Sequence, residues 1–237
     1  MKGKLIVFDG LDGSGKTTVL KAAVNFLRKG KKVFDLVAWS KKHHALPETA
    51  EFSGYDVILS AEPTHAWIGA AIRNEIIRDG QGYSGRDAAA AFALDRQILY
   101  TRCIIPALKM GKLIVQDRCV SSSIAYQPIQ KNPAPLTHVL SLAGNRLALK
   151  YPPHTLIIAS CPAKVAFSRL HGRVSKRDNA VFEKLVFMKK LSARFHAPWY
   201  KKFWEKRGTQ VIYLNTNQPL NAVTSSTTTL LRKILYS

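Results

Sequence analysis

The residues best suited to chemistry lie near the start of the chain, in the segment Gly10-Leu-Asp-Gly-Ser-Gly-Lys-Thr17. This segment fits the pattern G-x-x-x-x-G-K-[ST], in which backbone N–H groups surround a phosphate and the lysine reaches the β- and γ-phosphates. The hydroxyl of Thr17 can bind Mg²⁺, which offsets negative charge during phosphoryl transfer. We therefore predict a site for ATP and Mg²⁺ in which Lys16 is catalytic. The predicted ATP-binding residues are Gly10, Leu11, Asp12, Gly13, Ser14, Gly15, Lys16, Thr17 and Thr18.

The elements around this segment must hold its amide groups in place around a phosphate. The apolar run in Lys4–Asp9 predicts a strand before it, and apolar residues at helical spacing predict a helix over Thr17–Arg28 after it. A helix that begins at the loop adds the positive end of its dipole to the phosphate site. A glycine-rich turn without a ligand is the alternative, but it does not require this order of strand, loop and helix.

A P-loop is shared by kinases, ATPases, GTPases and motor proteins, so other residues must decide among these classes. The N-K-x-D pattern that selects guanine in GTPases is missing from the last predicted strand-to-helix turn. Asn215-Thr-Asn217 stands there, without the lysine or the carboxylate. The sequence therefore disfavours a GTPase.

Strand-length apolar runs alternate with amphipathic helical segments along the whole chain. This alternation predicts a parallel sheet covered by helices on both faces. The expected fold is α/β, a three-layer α/β/α P-loop NTPase fold with a central, mainly parallel five-stranded sheet and a mobile lid. Residues 1–237 are predicted to form a single P-loop domain, with a surface insertion at 40–55, expected to be a polar loop, and the basic lid at 169–179. The apolar patterns also predict a strand over Val33–Trp39 and helices over Leu136–Ala148 and 181–200.

Several segments of the chain resemble the thymidylate kinase family of P-loop nucleoside monophosphate kinases. They are Phe8–Thr18, Ala61–Thr64 with the following Ile68–Arg73, Phe92–Arg96, Ile114–Arg118 with the following Ser121–Gln127, and the basic stretch Arg169–Asp178. The resemblance implies ATP-dependent phosphorylation of thymidylate (dTMP) to dTDP, with Mg²⁺ as the metal. It also implies a homodimer, and the long predicted helix over 86–109 is a candidate interface.

The same resemblance implies roles for individual residues. Asp12 would face the 3′-hydroxyl of the acceptor sugar, Phe92 would stack on thymine, and Arg96 would bond the carbonyl edge of the base. Arg118 would hold the acceptor phosphate. The implied metal ligands are Thr17 and Asp117, and the implied catalytic residues are Lys16, Asp12, Arg118 and the lid residues Arg173 and Arg177. The implied acceptor-binding residues are Asp12, Glu62, Pro63, Arg73, Phe92, Arg96, Arg118, Ser123, Tyr126 and Gln127.

Structural alternatives exist for several of these residues. Phe92 could pack in an ordinary core, and Arg96 could form a surface ion pair with Asp95 or Asp87. Ser121 or Ser122 could cap a helix, which is compatible with a role of Tyr126 in the pocket. The basic lid could be a solvated loop.

Three features depart from the family pattern. Ala61 stands where many members have an arginine that grips the acceptor phosphate, so Arg118, Arg73 or Lys41 would have to compensate. Cys119 follows the Asp-Arg pair where tyrosine is common. The insertion at 40–55 is longer than the usual connection, and the identity of the acceptor is therefore less secure.

The bulk properties restrict the function less than the motifs do. The formal net charge is +21, which favours polyanions in general, and nucleic acid is expected only as a non-specific electrostatic contact. The three cysteines show no metal-site or disulfide spacing, so a reducing cytoplasm is expected. No secretion signal or bilayer-spanning run is expected. Two alternative functions remain: a kinase for another nucleotide or nucleoside acceptor, and a nucleic-acid-associated P-loop ATPase.

Overall fold

One parallel sheet with helices on both faces organises the chain in the computed structural model, which describes residues 3–78, 81–172 and 184–236. The strands are β1 Lys4–Gly10, β2 Val33–Asp35, β3 Val57–Ala61, β4 Leu113–Asp117, β5 Thr155–Ser160 and β6 Gln210–Asn215. Their order across the sheet is β2-β3-β4-β1-β5-β6, and every pair is parallel. Over the described residues the sheet therefore has six strands, one more than the predicted five, and the three-residue strand β2 lies at one edge, where it pairs only with β3.

The helices connect successive strands, as parallel pairing requires. They are α1 Lys16–Arg28, α2 Leu36–His43, α3 Thr49–Ser53, α4 Trp67–Ala71, α5 Gly85–Leu99, α6 Ile105–Lys109, α7 Val120–Tyr126, α8 Leu136–Ser141, α9 Ala143–Lys150, α10 Ala163–His171, α11 Leu185–His196, α12 Pro198–Glu205 and α13 Leu220–Tyr236. Short π-helical turns, Ile72–Ile76 and Tyr100–Ile104, extend α4 and α5. No helix in the described ranges is long and apolar enough to cross a bilayer.

Strand β1 lies in the middle of the sheet and is buried on both faces. Leu5 and Val7 belong to one apolar cluster, whereas Ile6 and Phe8 belong to the other, because side chains alternate along a strand. Phe8 is paired with Asp117 of β4 in the parallel register. The two strands therefore end at the same edge of the sheet, and this arrangement brings the glycine-rich loop beside the end of β4.

The segment expected to be a surface insertion contains helices. Strand β2 ends at Asp35, although a strand was predicted over Val33–Trp39, because the Asp35 carboxylate accepts a hydrogen bond from Ala38 N at 2.9 Å and caps α2. A capping box formed by Glu48 and Glu51 begins α3. The prediction of a polar loop over 40–55 was therefore wrong in its local structure.

Two helices predicted as continuous are broken. Leu142 adopts an extended conformation (φ −62°, ψ 135°), which divides the helix predicted over Leu136–Ala148 into α8 and α9. Ala197 is extended as well, because a following proline disfavours the helical conformation. It separates α11 from α12, which were predicted as one helix over 181–200. Residues 181–183 of that helix lie outside the described residues.

Candidate active site

The glycine-rich loop joins β1 to α1 and has the conformation that its glycines permit. Gly10, Gly13 and Gly15 have positive φ angles of 139°, 76° and 87°. A β-carbon at Gly13 would lie 2.1 Å from the carbonyl oxygen of Ala166, so only glycine fits there. Helix α1 begins at Lys16, and its N-terminal N–H groups therefore point toward the loop.

An ion pair joins the loop to the end of β4. Lys16 Nζ lies 2.7 Å from Asp117 Oδ1. Burial would raise the pKa of Asp117, but the positive charges of Lys16 and Arg118 hold that pKa below its ordinary value. Asp117 is therefore an ionised carboxylate at neutral pH.

Arg118 is the centre of a polar cluster at this edge of the sheet. Its φ is +64°, an uncommon conformation for a non-glycine residue. Its guanidinium donates to Tyr126 Oη at 3.0 Å and also pairs with the Asp12 carboxylate. Further bonds run to Asp9 Oδ1 at 3.3 Å and to Ser122 Oγ at 3.1 Å. The structure thus places Asp12, Arg118 and Tyr126 together, as the family resemblance implied.

Asp9 is a member of the cluster that sequence reasoning missed. It is fully buried and accepts hydrogen bonds from Gly10 N, from Ser121 Oγ and from Ser122 Oγ. Burial raises its pKa, while Arg118 and the serines oppose that rise. An acid that directly follows the apolar run of β1, just before the glycine-rich loop, was the signal that could have identified it.

The same serines do not cap a helix. Helix α7 begins after Cys119, whose Sγ accepts a hydrogen bond from Ser121 N at 3.4 Å. The hydroxyls of Ser121 and Ser122 are turned toward Asp9 instead. The alternative of a cap at Ser121 or Ser122 was therefore wrong, and Asp9 ties the glycine-rich loop to α7.

A second polar cluster lies deeper in the protein, around Arg96 of α5. Arg96 is 1% exposed, and its Nε donates to Glu62 Oε2 at 2.8 Å. Its Nη2 lies 2.6 Å from the same oxygen and donates to Ser123 Oγ at 3.1 Å. Its Nη1 donates to Asn145 Oδ1. Asn145 was not predicted from the sequence.

This environment excludes the surface ion pair considered for Arg96. Asp95 accepts hydrogen bonds from Thr64, and Asp87 accepts them from Ser84. The partner of Arg96 is Glu62, which is itself buried. Burial raises the pKa of Glu62 to about 7, although Arg96 opposes this rise.

Three other predicted acceptor residues, Arg73, Phe92 and Gln127, lie in different environments. Arg73 Nε donates to the carbonyl of Thr64 at 3.0 Å, and its Nη2 donates to the carbonyl of Pro63, which follows a cis peptide bond. Phe92 is half-buried and lies outside the apolar clusters formed by the described residues. Gln127 is buried, and its Oε1 has no hydrogen-bond partner among the described residues.

A cavity of about 440 Å³ adjoins the glycine-rich loop. Its lining is Gly13, Gly15, Thr18, Arg169, Gly172, Thr216, Gln218, Leu220 and Val223. Arg169 donates two hydrogen bonds to the carbonyl of Thr216, both at 3.2 Å. Arg169 was expected near ATP only as part of the lid, and Thr216 was not assigned to the nucleotide site, because no spacing rule links the glycine-rich loop to the segment after β6.

The predicted lid is only partly described. Arg169 was expected to begin it but lies within α10, which continues to His171. Arg173 and Arg177 lie outside the described residues.

The donors beside the loop fit Mg²⁺. Mg²⁺ keeps several waters and takes one or two protein ligands together with substrate phosphates. The exposed Thr17, at the second position of α1, and the ionised Asp117 supply one hydroxyl and one carboxylate. Within the described residues, no three His, Cys, Asp or Glu side chains form a metal-binding group. A donor set this small suits a metal held largely by a nucleotide.

Fold and site together define a P-loop phosphotransferase of the nucleoside monophosphate kinase class. A profile of the family described as "Thymidylate kinase" matches residues 40–226. The chain belongs to the thymidylate kinase family. The family, the fold class and the kinase class predicted from the sequence are therefore confirmed.

Curated relatives support the same assignment. A protein of Thermococcus onnurineus (strain NA1) named "Probable thymidylate kinase" is 31% identical over 209 residues, which cover 85% of this chain and 86% of the relative. A "Thymidylate kinase" of Geobacillus sp. (strain WCH70) is 27% identical over 230 residues, or 96% and 95% of the two chains. A "Probable thymidylate kinase" of Pyrococcus horikoshii is 37% identical over 131 residues, or 54% and 53%.

Proposed function

We propose that this protein transfers the γ-phosphoryl group of ATP to dTMP, forming dTDP and ADP. The observation that carries the proposal is the meeting of Lys16 and Arg118 at one edge of the sheet. One cation belongs to the phosphate-binding loop, and the other stands where an acceptor phosphate would face that loop. Two phosphate-binding cations facing each other are what phosphoryl transfer between two nucleotides requires.

On the donor side, the amides of the loop and the N-terminus of α1 bind the phosphates of ATP. Lys16 exchanges its contact with Asp117 for the β- and γ-phosphates. Thr17 and Asp117 would then hold Mg²⁺, which neutralises charge that develops on the phosphate oxygens. The cavity lined by Arg169 and Thr216 would receive the base of the donor nucleotide.

On the acceptor side, Arg118 binds the phosphate of dTMP. The phosphate dianion replaces the carboxylate of Asp12 as the partner of the guanidinium, and Asp12 becomes free to accept a hydrogen bond from the 3′-hydroxyl of the sugar. Arg73 lies close enough to Asp117 and Arg118 for their charges to act on it, and it would supply the positive charge that an arginine at position 61 supplies in many family members. Lys41 is exposed on α2 and is not needed in this arrangement.

The transfer itself depends on position and charge rather than on a strong base. An ionised phosphate oxygen of dTMP attacks the γ-phosphorus of ATP, the bond to the β-phosphate oxygen breaks, and ADP leaves. Lys16 and Arg118 stabilise negative charge on the transferring group. Arg173 and Arg177 are proposed to contribute from the lid, where they would also exclude water.

The base of dTMP lies in the second cluster. Phe92 stacks on thymine, and Arg96 with Ser123 bonds its polar edge. Tyr126 occupies the space where a ribose 2′-hydroxyl would lie, which selects a deoxyribose. Glu62, Pro63 and Gln127 form the wall behind these groups.

The oligomeric state and the cellular location of the enzyme are also proposed. A homodimer is proposed, with the long helical segment of α5 and α6 as the candidate interface. A cytoplasmic location is supported by Cys103, Cys119 and Cys161, which are all unpaired and buried. Nucleic acid is expected only as a non-specific contact of the positively charged surface.

The decisive experiment incubates the protein with ATP, Mg²⁺ and a panel of acceptors. Phosphorylated products are identified chromatographically and ADP release is followed in a coupled assay. dTMP is expected to have the highest kcat/KM. The Lys16→Ala variant, purified in the same way, measures the activity of contaminating kinases. ADP release without any phosphorylated nucleotide, stimulated by DNA or RNA, would replace the proposal with the ATPase alternative. A different best acceptor would retain the kinase and reassign its substrate.

A further inference from the structure

The donors of Arg96 are almost all occupied by protein partners. Nε and Nη2 face Glu62, and Nη2 also donates to Ser123. One N–H of Nη1 is bonded to Asn145. In the described part of the chain, no protein partner bonds the second N–H of Nη1, which is therefore a donor that a ligand can use.

The guanidinium is planar, so the direction of one N–H on a nitrogen determines the direction of the other. Asn145 accepts one N–H of Nη1 and thereby aims the second. Glu62 and Ser123 hold the Nε and Nη2 side of the guanidinium. The contact with Asn145 holds the remaining nitrogen, Nη1.

Asn145 is itself held in a single orientation. It is fully buried, and its Nδ2 donates to the carbonyl of Val139 at 2.6 Å. In a continuous helix that carbonyl would accept from the backbone N–H of residue 143. The break at Leu142 leaves it for the side chain of Asn145, whose oxygen must then face Arg96.

A close helix contact brings Asn145 within reach. A β-carbon at Gly144 would lie 1.7 Å from the carbonyl oxygen of Ala93, so α9 approaches α5 closely at this point. Arg96 lies one turn beyond Ala93 on the same helix, and helical residues three apart are neighbours on one face. The glycine therefore places the next residue, Asn145, beside the guanidinium.

We propose that Asn145 is a positioning residue that aims the free Nη1–H of Arg96 at the carbonyl edge of the acceptor base, and so contributes to the choice of base. This inference rests on the proposed function, in which Arg96 recognises thymine. A pyrimidine with a carbonyl at this edge accepts the N–H, whereas one with an amino group presents another donor and is disfavoured. The residue acts through Arg96 and does not touch the substrate.

The test compares dTMP with dCMP, which carries an amino group at that edge, in steady-state assays. Asn145→Leu keeps the volume of the side chain and removes both hydrogen bonds. We expect it to lower the ratio of kcat/KM for dTMP to that for dCMP by about tenfold, mainly through the KM for dTMP, with the KM for ATP unchanged. Asn145→Asp keeps the oxygen that faces Arg96 and is expected to retain most of the ratio.

Thr227→Val is the matched control, because it removes a buried bond from a side chain to a backbone carbonyl in α13, on the other face of the sheet. It is expected to lower thermal stability without changing the ratio. Equal ratios in Asn145→Leu and Thr227→Val would overturn the inference. Should Asn145→Leu prove too unstable to assay, Asn145→Ser removes the contact with a smaller side chain, and the same loss is expected.

Arg96→Met distinguishes the positioning role of Asn145 from the base-reading role of Arg96. If it lowers the ratio while Asn145→Leu does not, the inference about Asn145 is wrong and the base-reading role of Arg96 stands. If Arg96→Met leaves the ratio unchanged, both are wrong. If no variant and no wild-type protein phosphorylates dTMP, the proposed function itself fails.

Discussion

Replacing Glu62 with glutamine is expected to remove a pH-dependent loss of stability. Burial raises the pKa of Glu62 from 4.5 to about 7. The folded protein therefore keeps a proton between these pH values that the unfolded chain has lost, and the free energy of unfolding falls as the pH rises through this window. Because one pKa unit corresponds to 1.36 kcal/mol, the ionised carboxylate costs about 3 kcal/mol above pH 7.

Urea unfolding at several pH values measures this cost. From pH 5 to pH 8, the free energy of unfolding of the wild-type protein, relative to that of Glu62→Gln, is expected to fall by roughly 2 to 3 kcal/mol. Glutamine retains the volume and a carbonyl acceptor for Arg96 but does not titrate in this range. Parallel stability curves for the two proteins would show that Glu62 is already ionised at pH 5, with Arg96 fully offsetting its burial. The reasoning from burial would then be refuted.

Three further substitutions test the site and the packing that supports it. Lys16→Ala is expected to lower kcat/KM by at least about 100-fold in the ADP-release assay, and near-wild-type turnover would contradict the role of the loop. Arg118→Ala is expected to weaken dTMP binding more than ATP binding in calorimetric titrations, and equal losses would contradict its assignment to the acceptor. Gly144→Ala is expected to destabilise the protein by about 3 kcal/mol, because its β-carbon meets a backbone oxygen. Gly30→Ala is the control, since a β-carbon there meets no atom within 4 Å and stability should be unchanged or slightly higher.

The glycine-rich loop and its flanking strand and helix could be predicted because they depend on residues that are close in sequence. Positive φ angles favour glycine, and the strand and helix follow from periods of two and 3.6 residues. The Asp117-Arg118 pair could be placed for a similar reason. The carboxyl ends of parallel strands meet at one edge of the sheet, so a charged pair that ends a buried strand must lie near the loop.

Breaks inside helices were missed because apolar periodicity continues across them. The helix predicted over Leu136–Ala148 keeps its pattern through Leu142, although the backbone there is extended. At this break the carbonyl of Val139 accepts a hydrogen bond from the side chain of Asn145. This side-chain hydrogen bond replaces the backbone bond that a continuous helix would form there.

The sequence by itself determined the class of chemistry, because the phosphate-binding loop, its flanking elements and the Asp-Arg strand end are short patterns with local causes. Only the tertiary structure decided which buried groups face each other. Arg96 and Asn145 are 49 positions apart, and Asp9 and Ser121 are 112 positions apart. Neither pair has a spacing that a sequence can reveal. Each depends on how closely two elements pack, as α5 and α9 do at Gly144, and that distance is decided by the whole core.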